Sequence, residues 1–338
     1  MDGFLYGVLC EDAEVRTLTI GPNDAGQRLD KFLTKSLPNL PQALLYKYIR
    51  LKRIKRNGKR AQISDRLQTG DTLELYIGDE FFEKPRPQYD FLRSAKTLDI
   101  LYEDENLLLL NKKVGLLSHP DETEYGDTLI TRVKRYLYEK GEYDPENEQS
   151  FTPSLVNRID RNTCGIVMAA KNAEALRTLN RIVKTRQLHK LYLCVVHGKP
   201  PKKEDTLEGY LRKDEAKNKV FISKTPAADA KEIRTRYRVL DSFRGLSLLE
   251  VELLTGRTHQ IRAHLASIGC PLLGDGKYGT NKDNKPYGYK KQFLCSYRLT
   301  FDFTEDAGTL QYLDKQSFAL PDVWFEKAFR DRSLWEHA

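Results

Sequence analysis

The sequence is poor in cysteine and in long apolar runs. Its five cysteines form no C-x-x-C pair, and so scattered a set is typical of a reducing compartment and unfavourable for a zinc site. No apolar run approaches the ~18 residues that a membrane helix needs. The N-terminus lacks the apolar core of a signal peptide, since Asp2, Glu11, Asp12 and Glu14 interrupt it. We therefore predict a soluble, cytoplasmic protein.

Several motifs of cofactor and nucleophile chemistry are missing as well. The sequence has no Walker-type loop, no metalloprotease helix and no serine elbow. It does match G-x-G-x-x-G at Gly274–Gly279, but a dinucleotide site needs that pattern between a strand and a helix. Here the pattern follows a predicted helix and enters a predicted loop at 281–286. We predict no cofactor and no metal, and keep a nicotinamide oxidoreductase as the third hypothesis.

Charged residues, in contrast, are abundant. Of the 338 residues 31% are charged and 40% hydrophobic, which is typical of a globular protein, and the length suggests two domains. The formal net charge is +8. The pI near 9.0 favours a polyanionic partner, although a diffuse charge of this size says little. The distribution of the basic residues is therefore the more informative feature.

Basic residues are concentrated between Lys47 and Arg60, where no acidic residue occurs. The members of this basic run are Lys47, Arg50, Lys52, Arg53, Lys55, Arg56, Lys59 and Arg60. The run spans a predicted helix end and a predicted hairpin at Asn57-Gly58, so its charges can form one compact surface for phosphates. The alternative is an ordinary solvated face.

The pattern around the basic run indicates a small α/β domain over residues 14–78. A strand is predicted at 15–20, and apolar residues at helical spacing predict two helices, after Arg28 and after Pro41. Leu73, Leu75 and Ile77 alternate as in a further strand. The periodicity then fails between 79 and 96, where Pro85-Arg86-Pro87 stiffens the chain, and we predict a linker there.

Residues 97–327 are predicted to form a larger second domain. The predicted strands are 98–102, 107–110, 166–170, 187–197, 232–240 and 246–254. The predicted helices cover 128–140, a segment from Asn172, and a segment that Thr258 caps and Gly269 ends; 141–150 is a predicted loop. Because these elements do not follow a regular βαβ repeat, we predict an α+β fold with a mixed, largely antiparallel sheet.

The stretch Asn157–Gly165 places Asp160 between two arginines, on a loop before the predicted buried strand. Two nearby cations would keep this carboxylate ionised and available as a nucleophile or base. The local chemistry alone favours the alternative, a surface turn in which the aspartate caps the backbone of Asn162 or Thr163.

Three motifs in this domain resemble those of the RluA-type pseudouridine synthases. The Asp160 stretch is similar to the family's catalytic loop, His-Arg-Leu-Asp-x-x-Thr-Ser-Gly, with Asn157, Ile159 and Cys164 as departures. Lys190-Leu191-Tyr192 matches the second motif, and the block Thr255–His264 with Gly274-Asp275 matches the downstream signature. The resemblance covers roughly residues 95–325, and residues 28–77 resemble the RNA-binding domain named after small-subunit ribosomal protein four.

The resemblance implies an isomerase that converts uridine in RNA to pseudouridine without a cofactor, after the base has left its stack. Asp160 would be the carboxylate that attacks the ribose or deprotonates it, and Arg262 would pair with it and orient it. Tyr192 would stack on the flipped base, and Arg158 would enter the helix where the base departed. The expected RNA or substrate contacts are Arg158, Arg257, His259, Leu294, Arg50, Lys52, Arg53, Lys55 and Arg56.

The two histidines of the downstream block are expected to be structural or to face RNA. His259 and His264 lie about 140° apart on the predicted helix, so they cannot hold one metal together.

The arrangement of domains resembles the C-type synthases of large-subunit ribosomal RNA, with transfer RNA as the alternative target. The runner-up is a non-catalytic RNA-binding or ribosome-assembly protein that keeps the fold, because Cys295-Ser296 stand where the family has His-Ala. We expect a monomer.

Overall fold

The computed structural model describes residues 15–83, 89–214, 216 and 219–335. The chain divides into two compact units. The first comprises 1–89, 138–152 and 172–174, and the second comprises 90–137, 153–171 and 175–338. The segment Pro85-Arg86-Pro87, which the sequence predicts to stiffen the linker, lies outside the described residues.

A four-stranded antiparallel sheet and two helices form the first unit, in the sheet order β1-β4-β2-β3. Its elements are β1 (Arg16–Thr19), α1 (Leu29–Ser36), α2 (Gln42–Arg50), β2 (Ile54–Arg56), β3 (Lys59–Arg60) and β4 (Thr72–Leu75). The predicted hairpin is confirmed: Asn57 and Gly58 have φ of 51° and 73°, the conformation that an Asn-Gly turn provides. The apolar faces of both helices pack on the sheet around Phe32 and Leu45.

The polar segment predicted as a loop, 141–150, carries no helix or strand and is held within the same unit. The Ser150 hydroxyl donates to an Asp24 carboxylate oxygen at 2.6 Å. The Asn23 amide donates to Glu148 at 2.8 Å. This grouping joins residues that are far apart in the sequence.

The remaining elements surround an eleven-stranded sheet. The strands are β5 (Ile100–Glu103), β6 (Leu107–Lys112), β7 (Ser154–Leu155), β8 (Cys164–Ala170), β9 (Leu188–His197), β10 (Glu204–Asp214), β11 (Lys219–Ser223), β12 (Lys231–Phe243), β13 (Leu246–Leu253), β14 (Leu294–Phe301) and β15 (Ser317–Ala319). The helices are α3 (Leu129–Glu139), α4 (Ala173–Lys184), α5 (Gln260–Ser267), α6 (Asn281–Asn284) and α7 (Trp324–Arg330). Short 3-10 helices cover Asp79–Phe81, Asp90–Arg93, Lys285–Tyr287, Gly308–Leu313 and Ser333–Trp335.

The sheet runs β11-β10-β12-β13-β9-β14-β8-β6-β5 and is antiparallel throughout except between β14 and β8. The predicted mixed, largely antiparallel α+β fold is therefore confirmed. Gly165 makes the parallel contact possible: its φ is 111°, and a Cβ there would lie 2.1 Å from the backbone oxygen of Ser296. This close approach fixes the start of β8, and with it the loop that carries Asp160.

Several features differ from the sequence-based expectation, and β7, β14, β15 and α7 are among the elements that were not predicted. The predicted loop at 281–286 instead contains α6 and a 3-10 turn, because the Thr280 side chain accepts a hydrogen bond from the Asp283 amide and caps the helix. Strands β10 and β11 were not predicted. Among the described residues, no helix is both long and apolar enough to span a membrane.

Candidate active site

The backbone on both sides of Asp160 is fixed by the segment that follows β6. The Ser118 hydroxyl donates to the Ile159 carbonyl at 3.0 Å, and the Gly115 amide donates to the Arg161 carbonyl at 2.8 Å. The buried Lys112 ammonium also donates to the Arg161 carbonyl at 3.1 Å. Burial lowers the pKa of Lys112 to about 8, and three backbone carbonyls surround its ammonium. The sequence analysis predicted no role for this lysine.

The predicted ion pair between Asp160 and Arg262 is present. The Arg262 Nη1 donates to Asp160 Oδ2 at 2.8 Å, and the side chains are 8% and 25% exposed respectively. Arg262 projects from α5, whereas Asp160 lies on the loop between β7 and β8. The pair therefore joins two motifs that are distant in sequence, and it leaves part of the carboxylate open.

A second carboxylate, Asp275, holds the other side of the same guanidinium. Arg262 Nε and Nη2 donate to its two oxygens at 2.7 and 3.0 Å. The Asp275 side chain is only 1% exposed, and burial disfavours its charge. The hydrogen bonds and charge of Arg262 outweigh that cost, so the pKa of Asp275 lies below its ordinary value. Asp275 was part of the sequence motif, but no role had been predicted for it.

Helix α5 does not begin as predicted. Thr258 is exposed and makes no side-chain hydrogen bond with the described residues, and the residue before the helix is His259, in a left-handed conformation with φ of 54°. The buried Gln260 closes this end instead, since its side-chain oxygen accepts from the Arg257 amide at 3.1 Å and from the Thr255 hydroxyl at 2.9 Å. The predicted stop at Gly269 is confirmed by its φ of 80°.

The two histidines of this helix region have separate environments. His264 is buried, and its Nδ1 lies 3.0 Å from the Thr235 hydroxyl, so its role is structural. His259 Nδ1 lies 3.0 Å from the Tyr278 hydroxyl, and its Nε2 lies 3.9 Å from Asp160 Oδ2. Burial lowers the pKa of each to about 4, so both rings are neutral near pH 7.

A cavity of about 850 Å³ opens over Asp160. The predicted site residues that line it are Arg158, Asp160, Tyr192, Arg257, His259, Arg262 and Leu294. Tyr192 lies on β9, and burial raises its pKa to about 12, so its phenol is neutral at physiological pH. Three further basic residues line the cavity without having been predicted, namely Lys184, Arg186 and Lys190. The cavity thus brings the Asp160 carboxylate together with a buried aromatic ring and a basic wall.

Comparison with known proteins matches both parts of the chain. Residues 106–267 match the RNA pseudouridylate synthase family, and residues 27–73 match the S4 domain. An uncharacterised RNA pseudouridine synthase of Mycoplasma genitalium is 33% identical, over 81% of this chain and 85% of that protein. The chain belongs to the RNA pseudouridine synthase family. Members of this family are isomerases.

Other relatives agree with this assignment. The ribosomal large subunit pseudouridine synthase C of Vibrio cholerae is 30% identical over 85% of this synthase and 89% of its own length. The solved structure of human RNA pseudouridylate synthase domain containing 4 is 21% identical and covers 69% of this chain and 93% of its own, with a TM-score of 0.53. That structure supports the fold alone.

The arginines that flank Asp160 in this synthase do not form hydrogen bonds with its carboxylate. Arg161 Nε donates instead to the Gly115 carbonyl at 3.1 Å, and Arg158 is exposed at the cavity wall. The hydrogen-bonded cation beside Asp160 is therefore Arg262, which lies far from it in sequence. Within the described residues, no group of three or more His, Cys, Asp and Glu side chains is placed to hold a metal ion.

In the S4 domain, the predicted RNA contacts fall into two groups. Arg50 and Lys52 are exposed at the end of α2. Arg53 lies over the Tyr48 ring at 5.5 Å, and Lys55 lies over the Tyr76 ring at 4.6 Å. Arg56 forms an ion pair with the buried Asp71 at 2.7 Å, so its charge also serves the domain itself.

Proposed function

We propose that this synthase isomerises uridine to pseudouridine in large-subunit ribosomal RNA, with Asp160 as the essential carboxylate. The supporting observation is the half-buried Asp160, held by Arg262 in a basic cavity beside Tyr192. The reaction breaks the bond between ribose C1′ and uracil N1 and forms a bond from C1′ to uracil C5. It is redox-neutral, so a carboxylate and a proton acceptor are sufficient.

Each proposed catalytic residue has a geometric basis. Asp160 attacks the ribose or removes a proton from it, because its exposed edge faces the cavity. Arg262 acts as a positioning residue that Asp275 holds in turn. Tyr192 stacks on the flipped uracil. In the final proton transfer its neutral phenol acts as a relay, which takes up the proton from C5 only as it gives its own hydroxyl proton to an acceptor such as water. Arg158, Arg257, His259 and Leu294 contact the RNA around the flipped base.

The ribosomal target is proposed from the relatives. The proteins of Haemophilus influenzae and Vibrio cholerae that this chain resembles are named ribosomal large subunit pseudouridine synthase C. The domain of residues 14–78 would bind RNA through the basic run, and the catalytic domain would comprise residues 97–327. Residues 79–96 would form the linker between these two domains. We propose that the protein acts as a monomer, without a nucleotide cofactor or metal.

Tritium release tests the proposal. Ribosomal and transfer RNA labelled with tritium at uracil C5 are isolated from cells that lack the protein and are incubated with the wild type, Asp160→Asn or Asp229→Asn. Bond formation at C5 displaces tritium into water. Asp229 is an exposed carboxylate outside the cavity, so it is a matched control for the same change.

We expect the wild type and Asp229→Asn to release tritium from ribosomal RNA at similar rates. Asp160→Asn should release tritium about 10³-fold or more slowly, while its affinity for RNA stays within about twofold of the wild type. Normal activity of Asp160→Asn would disprove the assignment of this residue. Release from transfer RNA alone would correct the target. No release from either RNA, despite tight binding by the wild type, would establish the non-catalytic alternative.

A further inference from the structure

A second cavity of about 480 Å³ lies beside the first in the catalytic unit. Its lining residues are Val114, Cys164, Gly288, Tyr289, Lys290, Lys291, Gln292, Phe293, Trp324 and Phe325. The lining contains four aromatic rings, two lysines and no acidic residue. Nothing in the proposed chemistry uses this cavity.

The aromatic residues form a platform that is open on one side. Trp324 is 49% exposed although it is a large apolar residue at the start of α7. Its ring packs on Phe293 at a centroid distance of 4.8 Å and reaches Tyr289 at 6.3 Å. Phe325 is buried beneath, 5.5 Å from Phe293. The indole is therefore held in place while part of its surface remains free to stack.

The positive charge at the edge of the second cavity suits a nucleic acid. Lys290 and Lys291 are exposed, and neither forms an ion pair with the described residues. A Cβ on Gly115 would lie 3.5 Å from Lys291 Nζ, so the ammonium lies beside Gly115, whose amide donates to the Arg161 carbonyl. Stacking rings beside unpaired cations are the combination by which proteins hold single-stranded RNA.

The two cavities share a wall. The Gln292 side chain, which lines the second cavity, donates to the Thr163 hydroxyl at 2.8 Å, and Thr163 lines the first. Across the same wall, Leu294 lines the first cavity and Phe293 the second. The second cavity therefore adjoins the cavity that contains Asp160.

We propose that the second cavity binds an unpaired base of the RNA substrate by stacking on Trp324, with its phosphates on Lys290 and Lys291. This inference rests on the proposed function, because RNA is the polyanion brought to this unit. An apolar peptide segment would use the rings but not the lysines, and the basic rim therefore favours RNA.

Fluorescence gives the first test, since the chain has only two tryptophans. Trp335→Phe retains Trp324, and Trp324→Phe retains Trp335, whose indole nitrogen is buried. Each variant is titrated with a short single-stranded oligouridylate. We expect quenching of Trp324 but not of Trp335. Adding Lys290→Ala and Lys291→Ala should weaken the quenching titration, whereas Lys224→Ala, an exposed lysine elsewhere, should not.

Kinetics give the second test. Trp324→Ala should raise KM for a long RNA substrate by about 5- to 100-fold and leave kcat within about twofold, because stacking contributes to binding. Trp324→Tyr should recover most of the loss, and a matched melting temperature for the variants would exclude unfolding. A substrate trimmed of its unpaired flanking nucleotides should show no difference between Trp324→Ala and the wild type.

Unchanged KM together with no quenching of Trp324 would overturn the proposal. Quenching by an apolar peptide, but not by the oligouridylate, would overturn it in favour of a protein partner. Failure of the proposed function is distinguishable, because it would appear as no tritium release by the wild type, whereas the fluorescence titration needs no turnover.

Discussion

The basic run of the first unit and the cavity over Asp160 use the same residue types in different ways. In the basic run, Arg50 and Lys52 are exposed and form no ion pair with the described residues. In the cavity, Arg262 is 8% exposed and is held by two carboxylates at 2.7 to 3.0 Å. The exposed residues of the basic run provide a diffuse positive potential, whereas the buried ion pairs of the cavity fix the position of one guanidinium beside Asp160.

This difference sets how each region responds to change. Exposed charges are screened by salt and contribute little to folding, so they can be altered one at a time. A buried charge that loses its partner destabilises the fold by about 3–5 kcal/mol. Substitution of the buried Arg262 should therefore affect stability and turnover together, whereas substitutions of the exposed residues in the basic run should affect RNA binding alone.

The largest effect is expected at Arg262. Arg262→Gln should leave Asp275 buried without a cationic partner, which lowers the free energy of unfolding by about 3–5 kcal/mol and kcat by about 10²-fold or more. Arg262→Lys should recover little, because an ammonium cannot bond both carboxylates as the guanidinium does. Urea denaturation and tritium release measure the two effects.

Arg257→Gln is the matched control, since Arg257 lines the same cavity but is exposed. Its unfolding free energy should change by less than about 0.5 kcal/mol. The double variant Arg262→Gln with Asp275→Asn should be more stable than Arg262→Gln alone, because the orphaned charge is removed. If Arg262→Gln were as stable as the wild type, the buried arginine of the cavity would contribute no more to folding than the exposed residues of the basic run.

A second effect concerns pH, where the buried and exposed histidines should act in opposite directions. The pKa of His264 is lowered to about 4 by burial, below the ~6.5 of an unfolded chain. Between these values the unfolded state binds the proton first, so the stability present above pH 6.5 is lost as the pH falls. His189 is exposed, and its hydrogen bond with Glu252 raises its pKa, so its contribution is lost as the pH rises above 6.5.

Melting temperatures between pH 5 and 8 test this contrast. The wild type should lose several degrees on the acid side. His264→Gln should make that loss smaller while lowering the melting temperature at pH 7, and the part that remains includes that of His259, whose pKa is lowered in the same way. His189→Gln should leave the acid side as it is. An acid-side slope in His264→Gln as steep as that of the wild type would show that burial of this ring does not contribute to it.

A smaller effect is expected in the basic run. Arg50→Glu with Lys52→Glu should weaken RNA binding roughly tenfold at physiological salt and lower the salt slope by about 2, with kcat unchanged. Arg56 is left out because its ion pair with Asp71 would confound the result. Lys31→Glu with Lys35→Glu makes the same charge change at exposed sites on α1. An equal loss in that control would mean that net charge, and not the run, binds RNA.

Local patterns predicted much of the fold, because they depend on neighbouring residues. The Asn57-Gly58 hairpin and the buried strand at 166–170 follow from turn chemistry and apolar runs. The Asp160–Arg262 pair came from family resemblance, since no local rule joins residues so far apart. The hydrogen bond between Ser150 and Asp24 could not be predicted, because the sequence of a polar loop has no periodicity that indicates which distant residues it contacts.

The start of α5 shows how a local rule fails, and it supplies the smallest effect. A threonine before a helix predicts a cap worth about 1 kcal/mol, yet Thr258 is exposed and caps nothing among the described residues. Thr255 stabilises this end of the helix instead, since its hydroxyl donates to the Gln260 side chain at 2.9 Å and accepts from the Arg234 amide at 2.9 Å. Thr258→Ala should change the free energy of unfolding by less than about 0.5 kcal/mol, and Thr255→Ala should lower it by about 1–2 kcal/mol. If urea denaturation showed a larger loss of unfolding free energy for Thr258→Ala than for Thr255→Ala, Thr258 would be the cap and the helix would begin there.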